Sequence, residues 1–111
     1  MNAHRIDFTS QEWETPAPHV RMKVYKGYNK QLRLVEFSQD FIEPDWCMNG
    51  HVGYILDGRM ELDFNGTVET FKQGDGLFIP PGPKHKHKAR MLTKTVTLIL
   101  VETITEREEE G

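Results

Sequence analysis

Residues 74–91 read GDGLFIPPGPKHKHKARM: a turn, a short apolar strand, a rigid corner, then a run in which cations alternate with His, Ala and Met. Gly74-Asp75-Gly76 is a turn signal, and Pro80-Pro81-Gly82-Pro83 is stiffened by its prolines. Counted by charge, Lys84 to Arg90 is a basic patch holding four of the chain's 14 Lys and Arg residues. Read by period, a strand running on from the corner sends His85, His87, Ala89 and Met91 to one face, and Lys84, Lys86, Lys88 and Arg90 to the other. An inward His85 then brings His87 inward with it and leaves the cations as an outer stripe. Such a stripe is expected of a charged sheet face that resists edge aggregation. It contains no aromatic residue of the kind single-stranded nucleic acids stack on.

Alternation continues on both sides. Val20 to Tyr25, Gln31 to Phe37, Arg59 to Phe64, Thr67 to Phe71 and Thr95 to Thr103 all read as strands. In Arg59 to Phe64 the apolar set is Met60, Leu62 and Phe64, and the polar set is Arg59, Glu61 and Asp63. His51 to Leu56 is a compact apolar run closed by Asp57-Gly58, and Asn65-Gly66 is a second tight-turn signal. No window has helical periodicity. Eight or nine short strands joined by hairpins predict an all-β barrel or sandwich.

At 111 residues the chain makes one domain. Its 28% charged and 37% apolar residues suit a soluble globule, and a net charge of −3 argues against a general nucleic-acid binder. No apolar run is long enough to span a bilayer. The N-terminus lacks the apolar core of a secretory signal, so the cytoplasm is the expected compartment. The single cysteine, Cys47, excludes an internal disulfide. A small open β domain leaves edges to protect, so a homodimer is expected, through an N-terminal strand or a sheet face.

The spacing Gly74-x5-Pro80-x-Gly82-x2-His85 resembles the second sequence motif of the cupin superfamily, and Tyr54-Ile55-Leu56-Asp57-Gly58 resembles the end of its first motif. The two windows lie one hairpin apart, as in small single-domain members, and the resemblance covers roughly residues 20 to 103. It implies a cupin β-barrel, a jelly roll, flanked by an N-terminal arm over 1–19 and an acidic tail over 104–111. The first motif departs from the family's His-x-His-x3-Glu. Anchored on Gly58, the family's four metal positions fall on Asp45, Cys47, His51 and His85.

All four residue types can bind metals, and thiolate with imidazole suits Zn, Fe or Ni. Cys47, His51 and His85 are therefore the leading ligands for a divalent metal ion, with Asp45 behind them. The competing reading makes Cys47 a small buried hydrophobe and His51 a hydrogen-bonded core histidine. His87 and Tyr54 are the candidate proton donors or acceptors. Arg33 would favour an anionic ligand if it pointed inward, a direction the two apolar faces of its strand leave open. Two functions follow from the resemblance. One is a metal-dependent enzyme of dioxygenase, isomerase or lyase type, acting on a small polar metabolite. The other is a metal-free barrel that binds or senses a small molecule without catalysis.

Overall fold

A computed structural model describes residues 4–104. Nine strands form two antiparallel sheets: β1 (Glu14–Ala17), β2 (Val20–Gly27), β3 (Lys30–Ser38), β4 (His51–Asp57), β5 (Arg59–Phe64), β6 (Thr67–Lys72), β7 (Gly76–Ile79), β8 (Lys88–Met91) and β9 (Thr95–Thr103). The larger sheet has the order β1-β2-β3-β9-β4-β7 and the smaller β6-β5-β8. The strands expected from alternation are present, and the fold is the expected all-β barrel. The acidic run after residue 104 lies outside the described residues.

The core sits between the sheets. Val35 opposes Leu98, Leu98 opposes Ile55, and Met60 opposes Met91. Ile55, Leu98, Val35 and Val96 are the largest fully buried side chains. Each contributes about 1.5–3 kcal/mol through burial of its apolar surface. Two glycines are dictated by geometry. Gly58 has φ +85°, and a Cβ there would run into the carbonyl of Thr95. Gly53 lies so close to the Ile99 carbonyl on β9 that no side chain fits.

Alternation did not reveal β1, whose Glu-Thr-Pro-Ala carries no large apolar side chain and is exposed at all four residues. Ahead of it, a 3-10 turn over Phe8–Ser10 places the Phe8 carbonyl 2.7 Å from Nζ of Lys23, while Trp13 lies under Lys23 and Arg21. The N-terminal arm is therefore fastened onto the outer face of β2.

One expectation is corrected. The strand from Lys84 is replaced by a 3-10 turn over Pro83–His85, entered from Gly82 at φ +114°. Pro83 presets the helical φ, and the His85 amide bonds back to the Gly82 carbonyl at 3.1 Å. His85 is consequently exposed, and regular pairing resumes only at Lys88. The outer stripe survives in part. Lys86 and Lys88 lie 5.1 and 5.0 Å from the Trp46 ring, and Arg90 faces Glu61.

Candidate metal centre

Cys47 and His87 are locked opposite each other by an antiparallel bridge. The Cys47 amide donates to the His87 carbonyl at 2.8 Å, and the return bond is 3.0 Å. His51, first residue of β4, shares the inward parity of Gly53 and Ile55 and opposes Ile79. The link between Cys47 and His51 is not a strand, yet it ends with the two side chains together. A bond from the Gly82 amide to the Met48 carbonyl and the tight seat of Gly50 against Ile79 and Pro81 hold that link down.

The result is a cluster of three donors. Cys47 Sγ lies 3.6 Å from His51 Nε2, and one ligand atom from each of Cys47, His51 and His87 lies within 4.8 Å of the others. Zinc bonds of about 2.3 Å to sulfur and 2.0–2.1 Å to nitrogen put tetrahedral ligand atoms about 3.5 Å apart, so Cys47 and His51 already stand at that spacing and His87 would draw in toward it. The outer contacts fit as well. His51 Nδ1 bonds Glu102 Oε2 at 2.8 Å, and His87 Nδ1 bonds the His85 carbonyl at 3.0 Å. Each imidazole thus has Nδ1 engaged and Nε2 left for the centre, the usual arrangement behind histidine ligands.

Glu102 is itself held by three residues' contacts to its two oxygens. Arg33 reaches Oε1 through Nε at 2.7 Å and Oε2 through its terminal nitrogen at 2.6 Å, and Gln31 donates to Oε1 at 2.8 Å. Arg33 therefore points inward, but its charge is spent on a carboxylate of the protein.

The electrostatics follow from these contacts. Hydrogen bonds from His51 and then His87 bring the Cys47 thiol down to about 6, against burial. Burial disfavours a charge on His51, yet Cys47 and Glu102 outweigh it and raise the imidazole to about 9. His87 is raised too, chiefly by Cys47. Burial pushes the Glu102 carboxyl up, but His51 and Arg33 together bring it down to about 2. Without an ion, the cluster is a thiolate–imidazolium pair backed by a carboxylate.

Of the residues singled out by sequence, Cys47 and His51 come together and His87 joins them, where the motif comparison had put His85. The ring of His85 lies out on the turn, and His85 meets the cluster only through its carbonyl. Asp45 is exposed, outside the three-residue group. Tyr54 is 46% exposed on the outer face of β4, because parity turns Gly53 and Ile55 inward and Tyr54 outward. Glu102 was missed, although it continues the inward series Val96, Leu98, Leu100 and is a carboxylate where an apolar residue is expected. Glu43 was missed as well. It comes from the loop before Cys47 and accepts from the Ala89 amide at 2.8 Å.

A cavity of about 380 Å³ adjoins the cluster, lined by Cys47, His51, His87, Arg33 and Glu43 and by apolar side chains from both sheets. No helix among the described residues is long and apolar enough to cross a membrane.

Comparisons with known proteins agree with this architecture. A family model described as a cupin domain matches residues 48–102. No curated protein matches the chain. Among solved structures, KdgF from Halomonas sp. superposes with a TM-score of 0.74 at 17% identity, over 91% of this chain and 94% of that one. An RmlC-like cupin from Shewanella frigidimarina NCIMB 400 gives 0.72 at 14% identity, over 97% and 96%. The polyketide cyclase RemF from Streptomyces resistomycificus gives 0.74 at 21% identity, over 91% and 79%. With its motif-bearing strands matched by the family model and its barrel shared by these structures, the chain belongs to the cupin superfamily.

Proposed function

We propose that this cupin holds a divalent metal ion at Cys47, His51 and His87 and takes a small molecule into the barrel beside it. The observation that carries the reading is the convergence of one thiolate and two imidazole nitrogens, each imidazole oriented from behind. The donor set favours zinc, with Fe or Ni as alternatives. A bound ion would supply Lewis-acid polarisation to whatever occupies the cavity. The chain's own residues do the rest. Glu102 fixes the His51 tautomer, the His85 carbonyl fixes that of His87, and the apolar walls exclude water. The polyketide cyclase among the structural neighbours supports a catalytic role, and we propose chemistry of isomerase, lyase or dioxygenase type.

A second reading, a metal-free ligand-binding or sensor barrel, is favoured by one observation: the Cys47–His51 pair already satisfies itself. The deciding experiment is the metal content of untagged protein, for wild type, His87→Ala, His85→Ala and Cys47→Ser. The metal reading expects stoichiometric zinc in wild type and His85→Ala, lost in His87→Ala and weakened in Cys47→Ser. A wild type that stays free of metal after incubation with zinc at neutral pH overturns it in favour of the second reading.

We also infer a homodimer through the outer face of the large sheet. Tyr25, Leu32, Val101, Val52 and Phe78 stand in one registered row across five strands, and Phe78 is 80% exposed. Pro16 in β1 makes that edge a poor template for strand addition, which favours the face over the edge. A lone thiol paired with histidine fits the reducing cytoplasm.

A further inference from the structure

We infer that the ligand of the barrel is an apolar, ring-sized molecule bearing a single anionic or enolic oxygen, rather than a polyhydroxylated metabolite; the inference rests on the reading of the barrel as a small-molecule site. The cavity is walled by side chains that can neither donate nor accept strong hydrogen bonds, among them Met22, Phe37, Met60, Leu62, Leu98 and Leu100. A sugar-like ligand would leave hydroxyl after hydroxyl unpaired against these walls, each at a desolvation cost. An apolar ring loses nothing there and gains from leaving water. At about 380 Å³ the space falls at the lower end of small-molecule sites, enough for one or two fused rings.

The polar lining is limited to Arg33, Glu43, Cys47, Asn49, His51 and His87. Cys47, His51 and His87 form one pole, with Arg33 already neutralised by Glu102. Glu43 forms the other. It is anchored on the Ala89 amide, two residues along the chain from His87, a backbone separation of roughly 7 Å. An oxygen anion suits the first pole. A second anion would meet the Glu43 carboxylate, so a dianionic ligand is excluded and a neutral or donor-bearing far end is accepted. Glu43 thus acts as a specificity residue.

The test is titration of the purified protein, zinc-loaded and metal-free in parallel, with 2-naphthol and with glucuronate as a polar probe. The inference expects 2-naphthol to bind at least tenfold more tightly than glucuronate, with intermolecular NMR contacts from its ring to the Leu62 and Leu98 methyls. Ala89→Phe, which fills the cavity and keeps the amide that Glu43 accepts from, should weaken 2-naphthol at least tenfold without changing zinc per chain. Glucuronate binding as tightly, neither probe binding, or naphthol contacts confined to Val52 and Val101 on the outer face would each overturn it. Should Ala89→Phe fail to fold, the contacts measured on wild type still decide. Zinc content is read separately, so absent zinc with intact naphthol binding sinks the metal reading and leaves this one standing.

Discussion

His51 and Glu102 are joined by a 2.8 Å bond between Nδ1 and Oε2, and the same carboxylate binds Arg33 through both oxygens. Glu102→Gln keeps the shape and removes the charge. It should lower zinc affinity by roughly 10- to 100-fold, the usual effect of losing the group behind a histidine ligand. It should also destabilise the chain by about 2 kcal/mol, because Arg33 loses a charged partner in a site that is mostly out of water. Zinc titration against a competing chelator, with urea unfolding alongside, measures both.

The same carboxylate sets the acid limb of stability. Glu102 titrates near 2 in the folded chain against an ordinary 4.5, so the folded state binds fewer protons in that interval. Its contribution is complete above about 4.5 and is lost as pH falls toward 2. Cys47 and His51 shift in opposite senses by similar amounts, so between roughly 6.5 and 9 their slopes offset. His87, raised, then makes the metal-free protein lose stability as pH climbs past about 6.5. Urea midpoints from pH 2 to 9 should show an acid limb that flattens in Glu102→Gln. An unchanged limb would assign acid lability elsewhere.

Metal-free Cys47 should be an unusually reactive thiol. With its pKa near 6, alkylation by iodoacetamide should follow a sigmoid with its midpoint about there, whereas an ordinary thiol reaches it near 9. His51→Gln removes the first of the groups that lower it and should move the midpoint upward by at least a unit. Saturating zinc should protect Cys47 in wild type. Mass spectrometry of the single cysteine follows all three.

The barrel was legible because alternation and turn residues are local. Met60, Leu62 and Phe64, then Asn65-Gly66, specify a hairpin without reference to the rest of the chain. The site was only half legible, for two physical reasons. Parity fails across irregular backbone, and the Pro83–His85 turn breaks the alternation that made His85 and His87 equivalent. The carboxylate behind His51 lies 51 residues away on β9, a neighbour only after the strands pair. Even so, Glu102 at an inward position of an apolar strand was a signal in plain sight, whereas the direction of Arg33 was settled only by its bonds to that carboxylate.

Gly58 and Gly66 both have positive φ, +85° and +109°, but only Gly58 is crowded. Gly66→Ala should cost the backbone strain alone, about 1 kcal/mol, since nothing lies within 4 Å of its Cβ position. Gly58→Ala adds a collision with the Thr95 carbonyl and a 2.8 Å approach to Thr93 Oγ1. It should cost about 3 kcal/mol. Equal losses in thermal unfolding would mean that the turn, not the packing of β9 beneath it, is why glycine stands at position 58.

The outer face offers the last test. Phe78 is 80% exposed at the end of a row that runs through Val52 and Val101, on the side of the sheet opposite the cavity. A charge within this row would have to be desolvated on association without a partner, whereas in the monomer it would sit in water. Phe78→Asp and Val52→Asp should therefore shift sedimentation from dimer to monomer at micromolar concentration while leaving zinc content and the thermal midpoint of the monomer nearly unchanged. Arg90→Asp, on the smaller sheet, is the matched surface control and should not alter the oligomer. A wild type that sediments as a monomer at every concentration would assign the row to some other partner. Dimers that persist in Phe78→Asp and Val52→Asp would move the contact to the β1 edge, despite its proline.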